Sequence, residues 1–378
     1  MTRSSKPNLE NIRAKVQAGE RLSFEDGMFL YEPATSLHAV GQLANILRER
    51  LNGNVAYYNI NAHLNPTNVC AYHCTFCAFR AGPRGPKGYL MSDAQMLARG
   101  QEAIDSGCTE LHIVGGLHPR KKYEWYVHIL RLLHEAYPQL HLKAWTAVEI
   151  DWFERLAKKP LRAVLQELVQ AGMGSMPGGG AEIFHPQIRQ QICDHKATAE
   201  RWLEIHRAAH DLGLKTNCTM LYGHLEKAEH RVDHLLRLRQ LQDATGGFQA
   251  FVPLAFHPQN TGLSHLSQAS AILDLRTIAV SRLLLDNVPH IKAYWITLGL
   301  GTAQAALAYG ADDVDGTVRH ERIHHDAGST APEKLSVEEI RRLITDAGRE
   351  PVERDTLYRP VIRGPGDPRQ WRVQEQGP

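Results

Sequence analysis

Short apolar runs with the length of strands alternate along this chain with longer amphipathic runs. Eight stretches rich in Val, Ile, Phe and other aromatic residues are candidate strands, at residues 55–60, 110–114, 142–148, 174–176, 214–221, 248–255, 291–298 and, most weakly, 311–314. Their apolar residues do not alternate strictly with polar ones, as is typical of strands covered on both faces. The pattern therefore predicts a mostly parallel sheet buried between helices.

The runs between the candidate strands have helical periodicity and helical end signals. Residues 92–106 open with a capping box, Ser92 with Gln95, and stop at Gly107. Residues 231–244 carry apolar residues at helical spacing and end before a Gly-Gly pair. A strand followed by a helix, repeated eight times, predicts an α/β fold, specifically a closed (βα)8 barrel of the TIM type. A doubly wound open sheet is the alternative.

Segments outside the eight repeats predict extensions at both ends of the barrel. Residues 1–54 are mostly helical by pattern and form an N-terminal helical extension, and residues 55–325 form the barrel. Residues 326–378 form a C-terminal extension with a helix at 337–347. Its last part, 362–378, is rich in Gly, Pro, Arg and Gln, so we expect a frayed, flexible end.

Composition and charge exclude several classes of protein. The chain has 378 residues, of which 43% are hydrophobic, so we expect a large core and not disorder as the main state. Lys and Arg (43) nearly balance Asp and Glu (41), which leaves no basic tract suited to nucleic acid. No stretch approaches the ~20 apolar residues of a membrane span, and the polar start does not resemble a secretory signal. We expect a cytoplasmic protein without a nucleic-acid or membrane partner.

Polar and glycine-rich segments follow five of the candidate strands. In a βα barrel these loops meet at one mouth, where barrel enzymes build their active sites, so we expect an enzyme. The candidate side chains are Glu182, His224, Glu226, His257 and Asn260 in these loops, Glu149 after the third candidate strand, and Arg282 in an apolar helix. Five of them have a structural alternative: a helix N-terminal carboxylate for Glu149 and Glu182, a buried ion pair for Arg282, and a surface loop for His224 and Glu226.

Three of the six cysteines, Cys70, Cys74 and Cys77, form a CxxxCxxC directly after the first candidate strand. Cytosolic cysteines are kept reduced, so this group indicates a metal rather than a disulfide. Three thiolates this close can hold a four-iron cluster and leave one iron without a protein ligand. A structural zinc, with His73 or His63 as fourth ligand, is the alternative.

With Phe76 before its last cysteine, the loop resembles the CxxxCxΦC signature of the radical S-adenosylmethionine (SAM) superfamily, where Φ is aromatic. The resemblance implies a 4Fe-4S cluster whose open iron binds SAM, and one-electron cleavage of SAM to methionine and a 5′-deoxyadenosyl radical. It implies that Tyr72 and Phe76 lie beside the cofactor and that Gly115 and Gly116 receive the methionyl amino group. Because Leu117 stands where the superfamily motif has glutamate, that contact rests on backbone carbonyls. Further candidates for cofactor contacts are Glu149, Glu182 and His224.

Longer segments narrow the resemblance to the aminofutalosine (aminodeoxyfutalosine) synthases of the futalosine route to menaquinone. They cover nearly all of residues 50–358 and include Asn-Pro-Thr-Asn-Val-Cys at 65–70, Met-Pro-Gly-Gly-Gly at 176–180 and Ala-Phe-His-Pro-Gln-Asn at 255–260. The resemblance implies addition of the adenosyl radical to 3-[(1-carboxyvinyl)oxy]benzoate, then rearrangement and decarboxylation to 6-amino-6-deoxyfutalosine. The alternatives are a sister enzyme, of the cyclic dehypoxanthinylfutalosine synthase or deazaflavin (FO) synthase type, and a zinc-stabilised barrel that binds a small anionic metabolite.

The resemblance also implies partners. A small dicarboxylate substrate needs cationic or donor groups, so the candidate catalytic or substrate-binding residues are His63, Glu226, His257, Asn260 and Arg282. A radical intermediate needs an enclosed, dry pocket, for which the candidate walls are Trp145, Phe251, Tyr294 and Trp295. The cluster needs an external one-electron donor such as flavodoxin or ferredoxin, and a homodimer is left open.

Overall fold

Strands and helices alternate in this chain in the order that the sequence pattern predicts. The computed structural model describes residues 7–374. Its strands are β1 (Val55–Asn59), β2 (Asn61–Leu64), β3 (Glu110–Ile113), β4 (His141–Ala144), β5 (Met173–Met176), β6 (Lys215–Tyr222), β7 (Phe248–Ala255), β8 (His290–Ile291), β9 (Asp313–Gly316), β10 (Glu350–Glu353), β11 (Val361–Arg363) and β12 (Trp371–Val373). Its helices are α1 (Leu9–Ala18), α2 (Phe24–Tyr31), α3 (Leu37–Asn52), α4 (Asp93–Asp105), α5 (Tyr123–Ala136), α6 (Ala147–Ala157), α7 (Leu161–Gln170), α8 (Pro186–Cys193), α9 (Ala199–His210), α10 (Ala228–Thr245), α11 (Ala271–Leu284), α12 (Trp295–Leu298), α13 (Leu300–Ala306), α14 (Ile323–Asp326) and α15 (Val337–Asp346).

Seven strands, β2 to β8, form one curled parallel sheet in which spatial order follows chain order. The segment from β9 to Arg319 fills the eighth position. On one side Ala293 N–H donates to the Asp313 carbonyl at 2.7 Å, and on the other His63 N–H donates to the Arg319 carbonyl at 2.7 Å. Single β-bridges on each side therefore close the barrel along a seam. The predicted α/β barrel is confirmed, and the sequential strand order is not that of a doubly wound sheet.

A second sheet ties the C-terminal segment to the barrel. It has three parallel strands in the order β10-β1-β9. The predicted first barrel strand, 55–60, therefore corresponds to β1, which belongs to this second sheet, and the barrel begins with β2, which the sequence pattern did not predict. Only Ile60 separates β1 from β2, and no glycine or proline marks the break, so the pattern did not show that a second strand follows.

Other predicted boundaries are partly right. The helices predicted at 92–106, 231–244 and 337–347 are confirmed as α4, α10 and α15. β4 ends at Ala144 because Thr146 caps the N-terminus of α6 with its side chain. β8 has only two residues, and its predicted continuation is the helix α12. The end predicted to be frayed contains an antiparallel pair, β11 with β12, and residues 375–378 lie outside the described part of the chain.

The N-terminal helices pack on the outside of the barrel. α3 packs along α11, and α2 contacts both α10 and α11. Val40, Leu43 and Ala44 of α3 are buried in this contact layer, which explains the apolar face that the sequence shows there. Residues 1–6 of the predicted extension lie outside the described residues. Within residues 7–374, no helix combines the length and apolarity that crossing a bilayer would require.

Candidate active site

The loop that carries the three cysteines follows β2 and is held by backbone hydrogen bonds on both sides. Ala71 N–H donates to the Leu117 carbonyl at 2.8 Å, and Gly116 N–H donates to the Thr67 carbonyl at 2.7 Å. A Cβ atom on Gly116 would lie 2.5 Å from the Val69 carbonyl oxygen, so this approach requires glycine. The Gly-Gly turn after β3 therefore fixes the loop against the barrel.

The side chains of Cys70, Cys74 and Cys77 line the same cavity, and all are free thiols. The Leu117 N–H donates to Cys70 Sγ at 3.4 Å. Burial raises the pKa of Cys74, and it raises the pKa of Cys77 to about 12. Such thiols ionise here only when a metal ion takes the place of the proton. Three soft donors on one loop fit an iron–sulfur cluster with one open corner.

A cavity of about 300 Å³ runs from the cysteines into the barrel. One half is lined by the cysteine loop and by the turns after β3, β4 and β5. The other half is lined by side chains from the strands themselves and by residues between 315 and 327. The thiols and the barrel interior therefore share one continuous space, which is the usual form of a small-molecule site.

Glu149 is buried beside the Gly-Gly turn. Its carboxylate accepts hydrogen bonds from Gly115 N–H at 2.9 Å and from Thr146 N–H at 2.7 Å. The second contact is half of a capping box on α6. Glu149 therefore caps the helix, as the structural alternative had it, and also lines the cavity wall. Burial raises the pKa of Glu149 to about 7, so its charge changes near neutral pH.

Glu182 and Lys196 form an ion pair on the cavity wall. Lys196 Nζ lies 2.6 Å from Glu182 Oε1 and 4.9 Å from the centre of the Phe76 ring. Burial opposes ionisation of Glu182, but the charge of Lys196 keeps the pKa of that carboxyl below its usual value. Tyr72 also lines the cavity, and its hydroxyl accepts a hydrogen bond at 3.2 Å from Nη1 of Arg155, which does not line it. These groups border the thiols and suit a ligand that carries both an ammonium and a carboxylate.

Polar side chains cover the far end of the cavity. His63, His112 and Lys143 are register partners on β2, β3 and β4, so they point the same way. All three line the cavity, and the rings of His63 and His112 stack with centroids 4.6 Å apart. Three neighbouring strands of the barrel therefore each place one nitrogen-bearing side chain inside it.

Two buried ion pairs complete this end of the cavity. Lys143 Nζ lies 2.6 Å from Glu110 Oε2, and Lys292 Nζ lies 2.7 Å from Asp315 Oδ1. Both lysine side chains are almost fully buried, at 2% and 3% exposure. We call the six side chains together the floor: His63, Glu110, His112, Lys143, Lys292 and Asp315.

Comparison with known proteins identifies the family. A family model of the radical SAM superfamily matches residues 64–238, and one of the CofH/MqnC C-terminal region matches residues 245–363. An aminodeoxyfutalosine synthase of Thermus thermophilus is 47% identical over 361 residues, which are 94% of this chain and 96% of that protein. The chain belongs to the radical SAM superfamily. It is a radical SAM transferase that uses a 4Fe-4S cluster and SAM, which decides against the zinc alternative.

Further radical SAM proteins are similar to this chain. An aminodeoxyfutalosine synthase of Streptomyces coelicolor is 48% identical over 92% of each chain. A 5-amino-6-(D-ribitylamino)uracil–L-tyrosine 4-hydroxyphenyl transferase of Methanopyrus kandleri is 40% identical over 86% of this chain and 89% of that protein. The crystal structure of methylornithine synthase has a TM-score of 0.72 at 17% identity, covering 90% of this chain and 97% of that one. This structure supports the fold alone.

The cavity brings together most of the residues that the sequence indicated. They are His63, Cys70, Tyr72, Cys74, Phe76, Cys77, Gly115, Gly116, Glu149, Glu182 and His257. His257 Nε2 lies 2.9 Å from the Thr297 carbonyl oxygen. Of the four predicted wall residues, Tyr294 lines the cavity, whereas Trp145, Phe251 and Trp295 are buried in the core around it.

His224 and Glu226 do not line the cavity but build the turn after β6. The Glu226 carboxylate accepts from the N–H groups of Gly223 at 2.7 Å and His224 at 2.9 Å. Arg231 Nη1 donates to the same carboxylate at 2.6 Å, and both the His224 and Glu226 side chains have no exposed surface. The geometry therefore favours a structural role for this pair over the predicted contact with cofactor or substrate.

Asn260 and Arg282 also lie away from the cavity. Asn260 is exposed and donates its amide to the Asp326 carbonyl at 3.0 Å. Arg282 is fully buried within α11, where its guanidinium donates to the carbonyls of Pro289 at 3.2 Å and Leu285 at 2.5 Å. Neither position supports the predicted contact with substrate. The Arg282 guanidinium is bound by backbone carbonyls and not by the carboxylate that the ion-pair alternative had suggested.

The sequence reasoning missed the floor residues other than His63. For His112 and Lys143 the signal is a polar residue between two apolar ones, at matching positions of three successive strands. The three triplets are Ala62-His63-Leu64, Leu111-His112-Ile113 and Leu142-Lys143-Ala144. In a parallel barrel the central residue of such a triplet points to the interior. Comparing triplets between strands would therefore have found three of the six floor residues, His63, His112 and Lys143.

The segment that carries α14 borders the cavity and is held by an ion pair that depends on pH. His325 Nδ1 lies 3.0 Å from Glu321 Oε2, and its Nε2 lies 3.1 Å from the Ala331 carbonyl oxygen. The hydrogen bond to Glu321 raises the pKa of His325 to about 9, although burial opposes the charge. Since this pKa is higher than that of an unfolded histidine, the stabilisation is complete below pH ~6.5 and is lost as pH rises towards ~9.

We expect the wild-type protein to be more stable than His325→Gln by about 1–2 kcal/mol at pH 6, a value reduced for partial solvent screening. This difference should disappear at pH 9. Urea unfolding of both proteins at pH 6, 7.5 and 9 measures it. The control is His128→Gln, because His128 pairs with Asp93 at an exposed site. A difference between wild type and His325→Gln that does not change with pH would contradict the prediction.

Proposed function

We propose that this radical SAM transferase is an aminodeoxyfutalosine synthase of menaquinone biosynthesis. In this reaction the 5′-deoxyadenosyl group adds to the enol-ether double bond of 3-[(1-carboxyvinyl)oxy]benzoate. Rearrangement and loss of the carboxylate, which leaves as bicarbonate after a water molecule supplies the third oxygen, then give 6-amino-6-deoxyfutalosine. The 47% and 48% identities to two aminodeoxyfutalosine synthases over more than nine tenths of the chain support this choice over the 40% identical transferase.

We assign the cofactor site to the cysteine end of the cavity. Cys70, Cys74 and Cys77 would hold three corners of the cluster. When bound, the cluster and SAM supply the 5′-deoxyadenosyl radical. The Glu182–Lys196 pair presents one anion and one cation on the adjacent wall, which match the ammonium and carboxylate of the methionyl group. Backbone groups of Gly115 and Gly116 and the Phe76 ring border the same space.

The observation that carries the proposal is the single cavity that connects the three cysteines with a floor containing two lysines. A dicarboxylate requires cationic partners, and a carbon radical requires a space from which water is excluded. The barrel core around the cavity, in which Trp145 and Phe251 are at most 1% exposed, limits access of solvent. The cavity volume of about 300 Å³ suits a small-molecule substrate.

The proposed partners are a small dicarboxylate substrate and an external one-electron donor such as flavodoxin or ferredoxin. A cytoplasmic location suits free thiols, which oxidising compartments convert to disulfides. Asn260, Arg282, His224 and Glu226 have no part in this proposal, because other contacts hold them. His257 remains a candidate for substrate contact.

Anaerobic incubation of the holoenzyme with reductant, SAM and 3-[(1-carboxyvinyl)oxy]benzoate tests the function. We expect mass spectrometry to detect 6-amino-6-deoxyfutalosine, in which the adenosyl group of SAM is retained. A parallel incubation with L-tyrosine and 5-amino-6-(D-ribitylamino)uracil should give no coupled product. If 5′-deoxyadenosine is the only nucleoside formed, the enzyme abstracts hydrogen instead and the proposal is wrong.

A further inference from the structure

The two lysines of the floor have hydrogen-bonding capacity that their ion pairs do not use. An ammonium group offers three donors. Lys143 Nζ gives one to Glu110, and Lys292 Nζ gives one to Asp315. Among the described residues, neither ammonium has a second acceptor within hydrogen-bonding distance. Because both groups are buried, an oxygen-rich ligand would stabilise them further.

His63 gives independent evidence that a hydrogen-bond partner is missing at the floor. Its side chain lines the cavity and the residue is only 7% exposed. Its Nε2 atom is buried and has no hydrogen-bond partner within residues 7–374. Leaving such a nitrogen unpaired costs free energy, which a ligand oxygen would recover. The ring stacks on His112, which is the register partner of Lys143.

The acidic groups that face the floor already have cationic partners. Lys143 pairs with Glu110, Lys292 pairs with Asp315, and Arg354 lies 3.9 Å from the Asp315 carboxylate. At the edge of the cavity His325 pairs with Glu321. The other titratable groups that line this end are the imidazoles of His112, His257 and His324 and the phenol of Tyr294. An incoming carboxylate therefore meets ammonium groups without facing an unpaired anion.

We propose that Lys143, Lys292 and His63 form the subsite that binds the benzoate carboxylate of the substrate. This inference rests on the proposed function and names how the same cavity holds its dicarboxylate. With the ring carboxylate at the floor, the enol-ether double bond faces the cysteine end, where the adenosyl group is supplied.

Binding to the holoenzyme in the presence of SAM but without reductant tests the subsite, because no turnover occurs. The probes are 3-[(1-carboxyvinyl)oxy]benzoate and 2-phenoxyacrylate, which lacks the ring carboxylate, and calorimetry gives both Kd values. We expect the wild-type enzyme to prefer the dicarboxylate by about 30-fold. In Lys143→Met and in Lys292→Met the preference should fall to about 3-fold, with binding of 2-phenoxyacrylate changed by less than about 2-fold.

Glu110→Gln separates ligand binding from a merely structural role of the ion pair. It removes the negative charge that competes for Lys143 and keeps the side-chain shape. We expect the dicarboxylate to bind this variant about 3- to 10-fold more tightly, whereas loss of a structural ion pair would leave binding unchanged or weaker.

If Lys143→Met does not fold, Lys143→Met combined with Glu110→Gln replaces it, because the double variant leaves no unpaired charge. Lys122→Met, at an exposed position, is the matched control and should keep the wild-type preference.

The two proposals fail in distinguishable ways. If both lysine variants fold and keep the 30-fold preference, the subsite is overturned, whatever product the enzyme makes. If no 6-amino-6-deoxyfutalosine forms but the preference still depends on Lys143, the subsite stands for another aromatic carboxylate and the proposed function is wrong. Unchanged or weaker binding of the dicarboxylate by Glu110→Gln would also count against the subsite.

Discussion

The Cys74→Ala variant is expected to lose all cluster-dependent turnover. Cys74 is the central cysteine of the loop and is 9% exposed, so no solvent ligand reaches its position easily. With only two thiolates left, a second iron of the cluster has no protein ligand. The iron content should therefore fall from about four per chain to below about one. Product formation should decrease by at least about 1,000-fold, beyond the 10- to 100-fold typical of outer-sphere changes. Iron and sulfide analysis, absorbance near 400 nm and product detection under anaerobic conditions measure these effects.

Cys108→Ala is the matched control for this prediction. Cys108 is 1% exposed and does not line the cavity, so its removal is a small core substitution. We expect it to keep the cluster and full turnover and to lower the free energy of unfolding by about 1 kcal/mol. Full activity of Cys74→Ala, or equal loss of iron in both variants, would show that the cysteine loop does not hold the cluster used in turnover.

The Arg354→Met variant is expected to lower the free energy of unfolding by about 3–5 kcal/mol. Arg354 follows β10, has no exposed surface and donates to Asp313 of β9 at 2.5 Å. Its guanidinium also lies 4.2 Å from the centre of the Tyr358 ring. Removing the cation leaves the Asp313 carboxylate buried without its partner at the seam of the barrel. Urea unfolding followed by circular dichroism measures the loss.

Two further variants test whether the loss comes from the unpaired charge. Arg342→Met removes an arginine whose side chain is 83% exposed, and the change should stay within about 0.5 kcal/mol. Adding Asp313→Asn to Arg354→Met should recover part of the stability, because the unpaired carboxylate is then absent. A loss below about 1 kcal/mol in Arg354→Met would contradict the importance of this pair.

The elements that the sequence predicts well are those with a local cause. The cysteine loop follows from the spacing of three residues, and α4 follows from its capping box, Ser92 with Gln95. The barrel follows from the repeated alternation of strand and helix. The order of β2 to β8 then needs no information beyond chain order, because each crossover places the next strand beside the last.

The features that escaped prediction depend on contacts between distant segments. The break at Ile60 exists because β1 pairs with β9 and β10, which lie more than 250 positions further along the chain. A charged residue in an apolar helix suggested a carboxylate partner for Arg282, but backbone carbonyls after α11 accept its hydrogen bonds instead. Lys143 and Lys292 are buried lysines whose partners come from other strands, so no local pattern shows that both face one cavity.

The barrel can close only late in synthesis, because the segment that forms its seam lies near the C-terminal end of the chain. Until residues 313–319 have left the ribosome, β2 and β8 both expose an unpaired edge. The strand that secures β1 beside this closing segment, β10, emerges later still. An open parallel sheet is prone to pair with other chains, so the nascent protein carries its greatest risk of aggregation late in translation. Chaperones that shield nascent chains would therefore be needed most after the cofactor loop is already made.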